Sequence, residues 1–69
     1  MEMKKVKSSN VAAVGHVDSS STLQVSFNNG STYQYFNVPV NVFLELYNAS
    51  SVGGYLAKKI KGKYKYKQV

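Results

Sequence analysis

Apolar and polar side chains alternate strictly across residues 22–27, Thr-Leu-Gln-Val-Ser-Phe. A period of two is typical of a strand with one buried face, so we predict a strand here. Residues 10–17 are small and apolar, and residues 31–36 are rich in threonine and aromatic side chains, both compatible with strands. Turn-forming residues separate the three segments. The pattern therefore predicts a three-stranded antiparallel meander.

Beyond Pro39 the apolar spacing changes to that of a helix. Proline cannot donate to a β-ladder but is tolerated in the first helical turn, so the sheet is expected to end before it. We predict a helix capped by Asn41. Its expected buried stripe is Val42, Phe43, Leu46 and Tyr47.

The serine- and glycine-rich stretch 49–54 is expected to break that helix. Ser50 or Ser51 is a predicted cap for a second helix, which Gly62 would end. Its inward side chains would be Tyr55, Leu56 and Ile60. The fold class predicted is α+β, a three-stranded antiparallel meander followed by two short C-terminal helices.

The hairpin between the second and third strands admits two registers. A two-residue turn on Asn29 and Gly30 would place Tyr33 and Tyr35 on the polar face, as exposed stacking platforms. A three-residue turn with a bulge at Gly30 would place both tyrosines on the core face. The same turn residues fit both, so both registers stay open.

Charge is concentrated at the two ends of the chain. Nine basic residues, all lysine, and three acidic residues give a formal net charge of +6. The lysines are Lys4, Lys5 and Lys7 at one end and Lys58, Lys59, Lys61, Lys63, Lys65 and Lys67 at the other. Such segregation favours an anionic partner, with solubility as the alternative explanation. The absence of arginine argues against sequence-specific reading of a DNA groove.

Composition narrows the remaining functions. Sixty-nine residues allow one domain (residues 1–69, core 8–62, basic segment 63–69), which could gain stability as a homo-oligomer. Without cysteine and with one histidine, we predict no metal site and no cofactor. His16 and Asp18 share a strand face but lack a distinctive nucleophile, so we predict no enzymatic activity.

No apolar run reaches membrane-spanning length and no export signal is visible, so we expect a cytoplasmic protein without membrane contact.

Several short motifs together resemble one family. In order they are Ser8-Ser9-Asn10-Val11, Ala13-Val14-Gly15, Leu23-x-Val25-x-Phe27, Gly30, Tyr33-x-Tyr35, Val38-Pro39 and Ser51-x-Gly53-x-Tyr55. From about residue 5 to residue 69 the chain resembles the KTSC domain, named for copies at the C-terminus of some lysyl-tRNA synthetases and found also as short bacterial and phage proteins. The resemblance implies RNA binding by association with a tRNA-handling enzyme.

We therefore expect a non-enzymatic module that binds a nucleotide-containing anion, RNA first. Tyr33 and Tyr35 would stack on bases, Ser50 and Ser51 would donate to phosphate, and His16 would lie at the pocket edge. The other predicted ligand-binding residues are Tyr55, Lys58, Lys59, Lys61, Lys63 and Lys65.

Two alternatives remain. One is a phage-encoded sponge that sequesters a small nucleotide immune signal, and the other is a protein-interaction module. The Lys-Tyr segment 63–67 is interpreted either as a nucleic-acid strap or as an edge strand.

Overall fold

One antiparallel sheet organises the protein in the computed structural model, which describes residues 2–69. Its strands are β1 (Lys4–Lys5), β2 (Val11–Val17), β3 (Thr22–Phe27), β4 (Thr32–Tyr35) and β5 (Tyr66–Gln68), in that spatial order. The α+β class is confirmed, and the three predicted strands are the central ones, β2, β3 and β4. The predicted strand count is wrong, because the two basic ends of the chain add an edge strand each and the sheet has five strands.

The edge strands are short and carry lysine. On one side Lys4 pairs with Val14, and on the other Tyr66 pairs with Tyr35. Charged side chains on a sheet edge disfavour pairing with another sheet. The C-terminal segment forms an edge strand from Tyr66 onward. An edge strand was one of the two interpretations of its sequence.

The hairpin adopts the three-residue turn. The Phe27 amide donates to the Ser31 carbonyl at 2.8 Å, and the Gly30 amide donates to the Phe27 carbonyl at 3.0 Å. Gly30 has φ of +93°, a left-handed conformation that glycine adopts without strain. Tyr33 consequently lies opposite Val25 and Tyr35 lies opposite Leu23, so both tyrosines are on the core face.

The first helix, α1 (Val40–Asn48), begins earlier than predicted. The Pro39 carbonyl accepts from the amides of Val42 and Phe43, so Pro39 is the N-cap and the predicted cap at Asn41 is wrong. Asn41 lies inside the first turn. Phe43 and Leu46 are buried as expected, whereas Tyr47 remains 38% exposed.

The second helix, α2 (Val52–Tyr55), continues directly into a π-helical turn, Leu56–Ile60. Ser51 caps α2 as predicted, because its hydroxyl oxygen accepts from the Gly54 amide at 3.1 Å. The wider turn closes when the Lys61 amide donates to the Leu56 carbonyl at 2.9 Å. Gly62, with φ of +80°, then turns the chain toward β5.

The core lies between the helices and one face of the sheet. Its buried members are Val11, Val14, Leu23, Val25, Tyr35, Val38, Phe43, Leu46, Val52, Leu56 and Ile60. On the opposite face the side-chain amide of Gln34 donates through Nε2 to Gln24 Oε1 at 2.9 Å. None of the helices within residues 2–69 has the length and apolar character needed to cross a membrane.

His16 joins strand β2 to the segment that precedes α1. Its Nδ1 lies 2.8 Å from Asp18 Oδ1, and its Nε2 lies 2.7 Å from the Val38 carbonyl oxygen. The Val38 carbonyl oxygen can only accept, so Nε2 is the donor in that contact. The ring stacks on Phe43 with centroids 5.5 Å apart, and the His16 side chain is only 2% exposed.

We predict that His16→Phe lowers the free energy of unfolding by about 1–3 kcal/mol. The new ring can still pack on Phe43, but the carbonyl of fully buried Val38 loses its donor. Urea denaturation followed by circular dichroism measures the change. Asp18→Asn is the control, because this side chain is 78% exposed and its loss should cost about 1 kcal/mol or less. Unchanged stability of His16→Phe would contradict this role.

Candidate functional site

A half-open concavity of about 520 Å³ lies where the β3–β4 hairpin, strand β5 and the end of the π-helical turn meet. Its lining residues are Phe27, Asn29, Ser31, Tyr33, Tyr35, Lys61, Gly62 and Tyr66. The volume is within the range of small-molecule sites, roughly 300–1,000 Å³. We call this site the aromatic pocket.

Four aromatic rings form one continuous wall of the aromatic pocket. Phe27 meets Tyr33 edge to face at 5.7 Å between centroids, while Tyr66 lies 5.8 Å from Tyr33 and 5.6 Å from Tyr35. Tyr35 is 3% exposed and belongs to the core, whereas Tyr66 is 60% exposed. Phe27 and Tyr33 are partly buried, so Tyr66 is the most exposed ring of the wall.

The electrostatic character of the pocket is positive. Lys61 is exposed, its Nζ lies 5.7 Å from the centroid of the Phe27 ring, and no acidic residue is among the lining side chains. A cation at this distance is attracted to the face of the ring. Burial raises the pKa of Tyr35, and the neighbouring Tyr33 and Tyr66 raise it further. The Tyr35 phenol is therefore neutral at physiological pH.

The tip of the hairpin contributes polar groups to the same pocket. The Asn29 side-chain oxygen accepts from the Ser31 amide at 3.0 Å, which fixes the side chain in an Asx-type turn. The amide NH₂ of Asn29 is left as a donor, and the Ser31 hydroxyl can donate or accept. The pocket thus combines an aromatic wall, a cation and two neutral polar side chains.

The structure brings together Tyr33, Tyr35 and Lys61 from the predicted set. The remaining predicted lysines, Lys58, Lys59, Lys63 and Lys65, are exposed but do not line the aromatic pocket. His16 does not line the aromatic pocket, and its side chain is enclosed beside α1. The Tyr55 hydroxyl donates to Glu45 Oε1 at 2.9 Å.

Ser50 and Ser51 lie in a separate concavity of about 330 Å³, together with residues 7–10 and 52–54. Local structure uses its polar groups, since the Ser51 hydroxyl caps α2 and the Ser8 hydroxyl donates to Asn10 Oδ1 at 3.1 Å. A Cβ on Gly53 would lie 2.6 Å from Asn10 Oδ1. The glycine thus permits a close approach of α2 to the segment before β2.

Several residues that line the aromatic pocket are absent from the predicted site, among them Phe27, Asn29, Ser31 and Tyr66. The position of Tyr66 in the pocket depends on two features, the three-residue turn and the edge strand formed by the C-terminal segment. Together these place Tyr66 opposite Tyr35 on the core face. The alternation of lysine and tyrosine in that segment was the sequence signal that could have identified it.

The fold and the pocket define a small α+β domain with an aromatic, lysine-bearing concavity at one end of its sheet. The chain belongs to the KTSC domain family, whose model matches residues 7–64. The crystal structure of a KTSC domain protein from Yersinia pestis superposes with a TM-score of 0.93 at 29% identity, covering 99% of this chain and 96% of that one. The family resemblance noted in the sequence is thereby confirmed.

Relatives include parts of larger proteins. A lysine–tRNA ligase of Trichormus variabilis is 54% identical over 48 residues, which are 70% of this chain and 9% of that protein. A lysine–tRNA ligase of a Nostoc species is 43% identical over 65 residues, which are 94% of this chain and 12% of that protein. A protein of Tsukamurella paurometabola is 33% identical over 63 residues, 91% and 94% of the two chains. The chain therefore spans about a tenth of the ligases it matches.

We predict that Tyr35→Ala and Tyr66→Ala differ sharply in stability. Removing the buried ring of Tyr35 should cost about 3 kcal/mol or more, because it opens a cavity in the core. Removing Tyr66 deletes cross-strand ring contacts on an edge strand and should cost about 1 kcal/mol or less. Thermal and urea unfolding measure both changes. Similar losses in the two variants would contradict the distinction between a core tyrosine and an exposed one.

Proposed function

We propose that this protein is a non-catalytic binding module for RNA, with the aromatic pocket as its main contact. The observation that carries the proposal is that the exposed ring of Tyr66 and the cation of Lys61 line the same concavity. An exposed aromatic ring stacks on any base, and a neighbouring lysine neutralises the attached phosphate. A single concavity supplies both interactions.

The wider distribution of charge supports the same proposal. Lys58 and Lys59 lie on the exposed side of the π-helical turn, and Lys63 and Lys65 lie on the exposed segment that leads from it to β5. Two of these lysines precede Lys61 in the sequence and two follow it. Association with a phosphate backbone would release its condensed counterions, which is the main source of affinity for a lysine-rich surface.

The family relationship supports RNA as the class of ligand. Lysine–tRNA ligases carry a region similar to most of this chain, and their name describes an enzyme that acts with tRNA. A module that contacts RNA would be useful in that setting. The catalytic activity of those relatives is not transferred, because the similarity covers about a tenth of their length.

The absence of catalysis is proposed from the surroundings of His16. Both of its ring nitrogens are in contact with other groups, and its side chain is 2% exposed. A histidine in this position is unavailable to a ligand in the aromatic pocket. General acid–base chemistry requires the titrating group within hydrogen-bond reach of the reacting atoms.

A second candidate function is the sequestration of a small nucleotide, such as an immune-signalling molecule. The half-open form and the volume of about 520 Å³ favour it, because a concavity encloses a compact ligand better than an extended strand. Ser50 and Ser51 would act in this function only through the other concavity. RNA remains the primary proposal because the exposed lysines extend well beyond the pocket.

We predict that a labelled single-stranded RNA binds with a steep dependence on salt, measured by fluorescence anisotropy. The triple variant of Lys61, Lys63 and Lys65 to Gln should bind more weakly and reduce the slope of log affinity against log salt by about two, since each phosphate contact contributes about 0.7. Loss of counterion release is the physical reason.

The matched control is the triple change of Lys4, Lys5 and Lys7 to Gln, which removes the same charge from the opposite end of the sheet. It should weaken binding less. Equal loss of RNA affinity in the two triple variants would mean that only net charge matters, and would contradict a specific role for the lysines near the aromatic pocket. No binding at low salt would sink the RNA proposal.

A further inference from the structure

We propose that the aromatic pocket holds one unpaired nucleotide, with its base stacked on Tyr66 and its phosphate at Lys61. The inference rests on the proposed function and specifies the unit that the site recognises. A free mononucleotide and the last nucleotide of an RNA strand present the same chemistry to it.

The limit of one base follows from the ring contacts. Tyr33 and Tyr35 each have Tyr66 as a neighbour at 5.8 and 5.6 Å, and Tyr33 also meets Phe27 at 5.7 Å. Rings at these separations are in contact, because aromatic pairs pack at about 4.5–7 Å between centroids, and the contacts take up part of each ring's surface. With Tyr35 3% exposed, Phe27 and Tyr33 partly buried and Tyr66 60% exposed, Tyr66 is the most exposed ring of the wall. One platform accommodates one base.

The position of Tyr66 determines how the base enters. It lies on β5, the last strand of the sheet, so in the described part of the chain no strand pairs beyond it. A base can therefore approach from the open edge of the sheet. A base inside a duplex is stacked on both sides and has no free face, and a base at a duplex end stays paired to a second base, so we expect the ligand to be unpaired at this nucleotide.

Lys61 supplies the site for the phosphate. It directly follows the π-helical turn, and Gly62 with φ of +80° bends the chain away immediately after it. Its Nζ lies near the Phe27 ring rather than near a carboxylate, and the described residues contain no ion pair that involves it. Its charge is thus available to an anion placed beside the aromatic wall.

The hairpin tip can read the edge of the base. The Asn29 NH₂ group is a donor, and the Ser31 hydroxyl can act in either sense. A base edge with adjacent acceptor and donor groups suits this pair. We therefore expect the four bases to differ in affinity, in contrast to a platform that only stacks.

The test is a nuclear magnetic resonance titration of the ¹⁵N-labelled protein with each of the four ribonucleoside 5′-monophosphates. Saturable shifts should concentrate on the amides of Asn29, Lys61, Gly62 and Tyr66. Shifts confined to residues 50–54 would overturn the assignment, because those residues line the other concavity.

Two variants and two matched controls test the named contacts. Tyr66→Ala should weaken mononucleotide binding at least about five-fold, the lower limit for loss of a base–aromatic stack. Lys61→Gln should weaken it and reduce its salt dependence. Tyr47→Ala removes an exposed tyrosine outside the pocket and Lys5→Gln removes an exposed lysine, and both should bind as the parent does. Equal weakening by Tyr47→Ala would overturn the stacking role of Tyr66.

A competition experiment separates this inference from the proposed function. The preferred mononucleotide should displace labelled single-stranded RNA, and a fully paired blunt duplex should compete poorly. If RNA binds but millimolar mononucleotide neither displaces it nor shifts the amides of the pocket, the single-nucleotide site is overturned and RNA binding stands. Failure of both ligands to bind would overturn both proposals. Binding of the mononucleotide without RNA would identify the free small nucleotide as the ligand.

Discussion

Gly30 controls which face of the sheet receives the tyrosines of β4. Its positive φ allows a three-residue turn, and this turn places Val25 opposite Tyr33. A shift of one residue would reverse the faces of β4, because strand side chains alternate with a period of two. Tyr35 would then leave the core and the aromatic wall would not form. The pocket therefore depends on the backbone conformation of a turn residue whose added Cβ would meet no neighbouring atom.

The aromatic pocket also reflects how little chain is available to cover the sheet. Two short helical segments pack on one face of five strands, and the second of them ends at Ile60. Strand β5 follows that point, and all three of its residues are exposed. Tyrosine suits such a boundary, because its ring packs on the core while its hydroxyl meets water. Tyr35 and Tyr66 are the buried and exposed members of this boundary.

The sequence predicted those elements whose signals are local. Strand β3 was visible from alternation, and the cap of the second helix was narrowed to Ser50 or Ser51, of which Ser51 is the cap. The register stayed open because Asn29 and Gly30 suit either turn. Strand β1 was not predicted and β5 was only one of two interpretations of its segment, since two or three residues are too few to show a period and lysine is a poor strand former. The partner of His16 is a backbone carbonyl 22 residues away, for which no sequence signal exists.

Lysine at the ends of this chain has two physical roles that composition alone cannot separate. On β1 and β5, Lys5 and Lys67 charge the sheet edges, and a charged edge resists association with other sheets whether or not a ligand exists. Lys61 differs from them, because it is not in a strand and it lines a concavity beside four aromatic rings. A lysine that only aided solubility would gain nothing from that location. The position of Lys61 therefore favours an anionic ligand more strongly than does the net charge of +6.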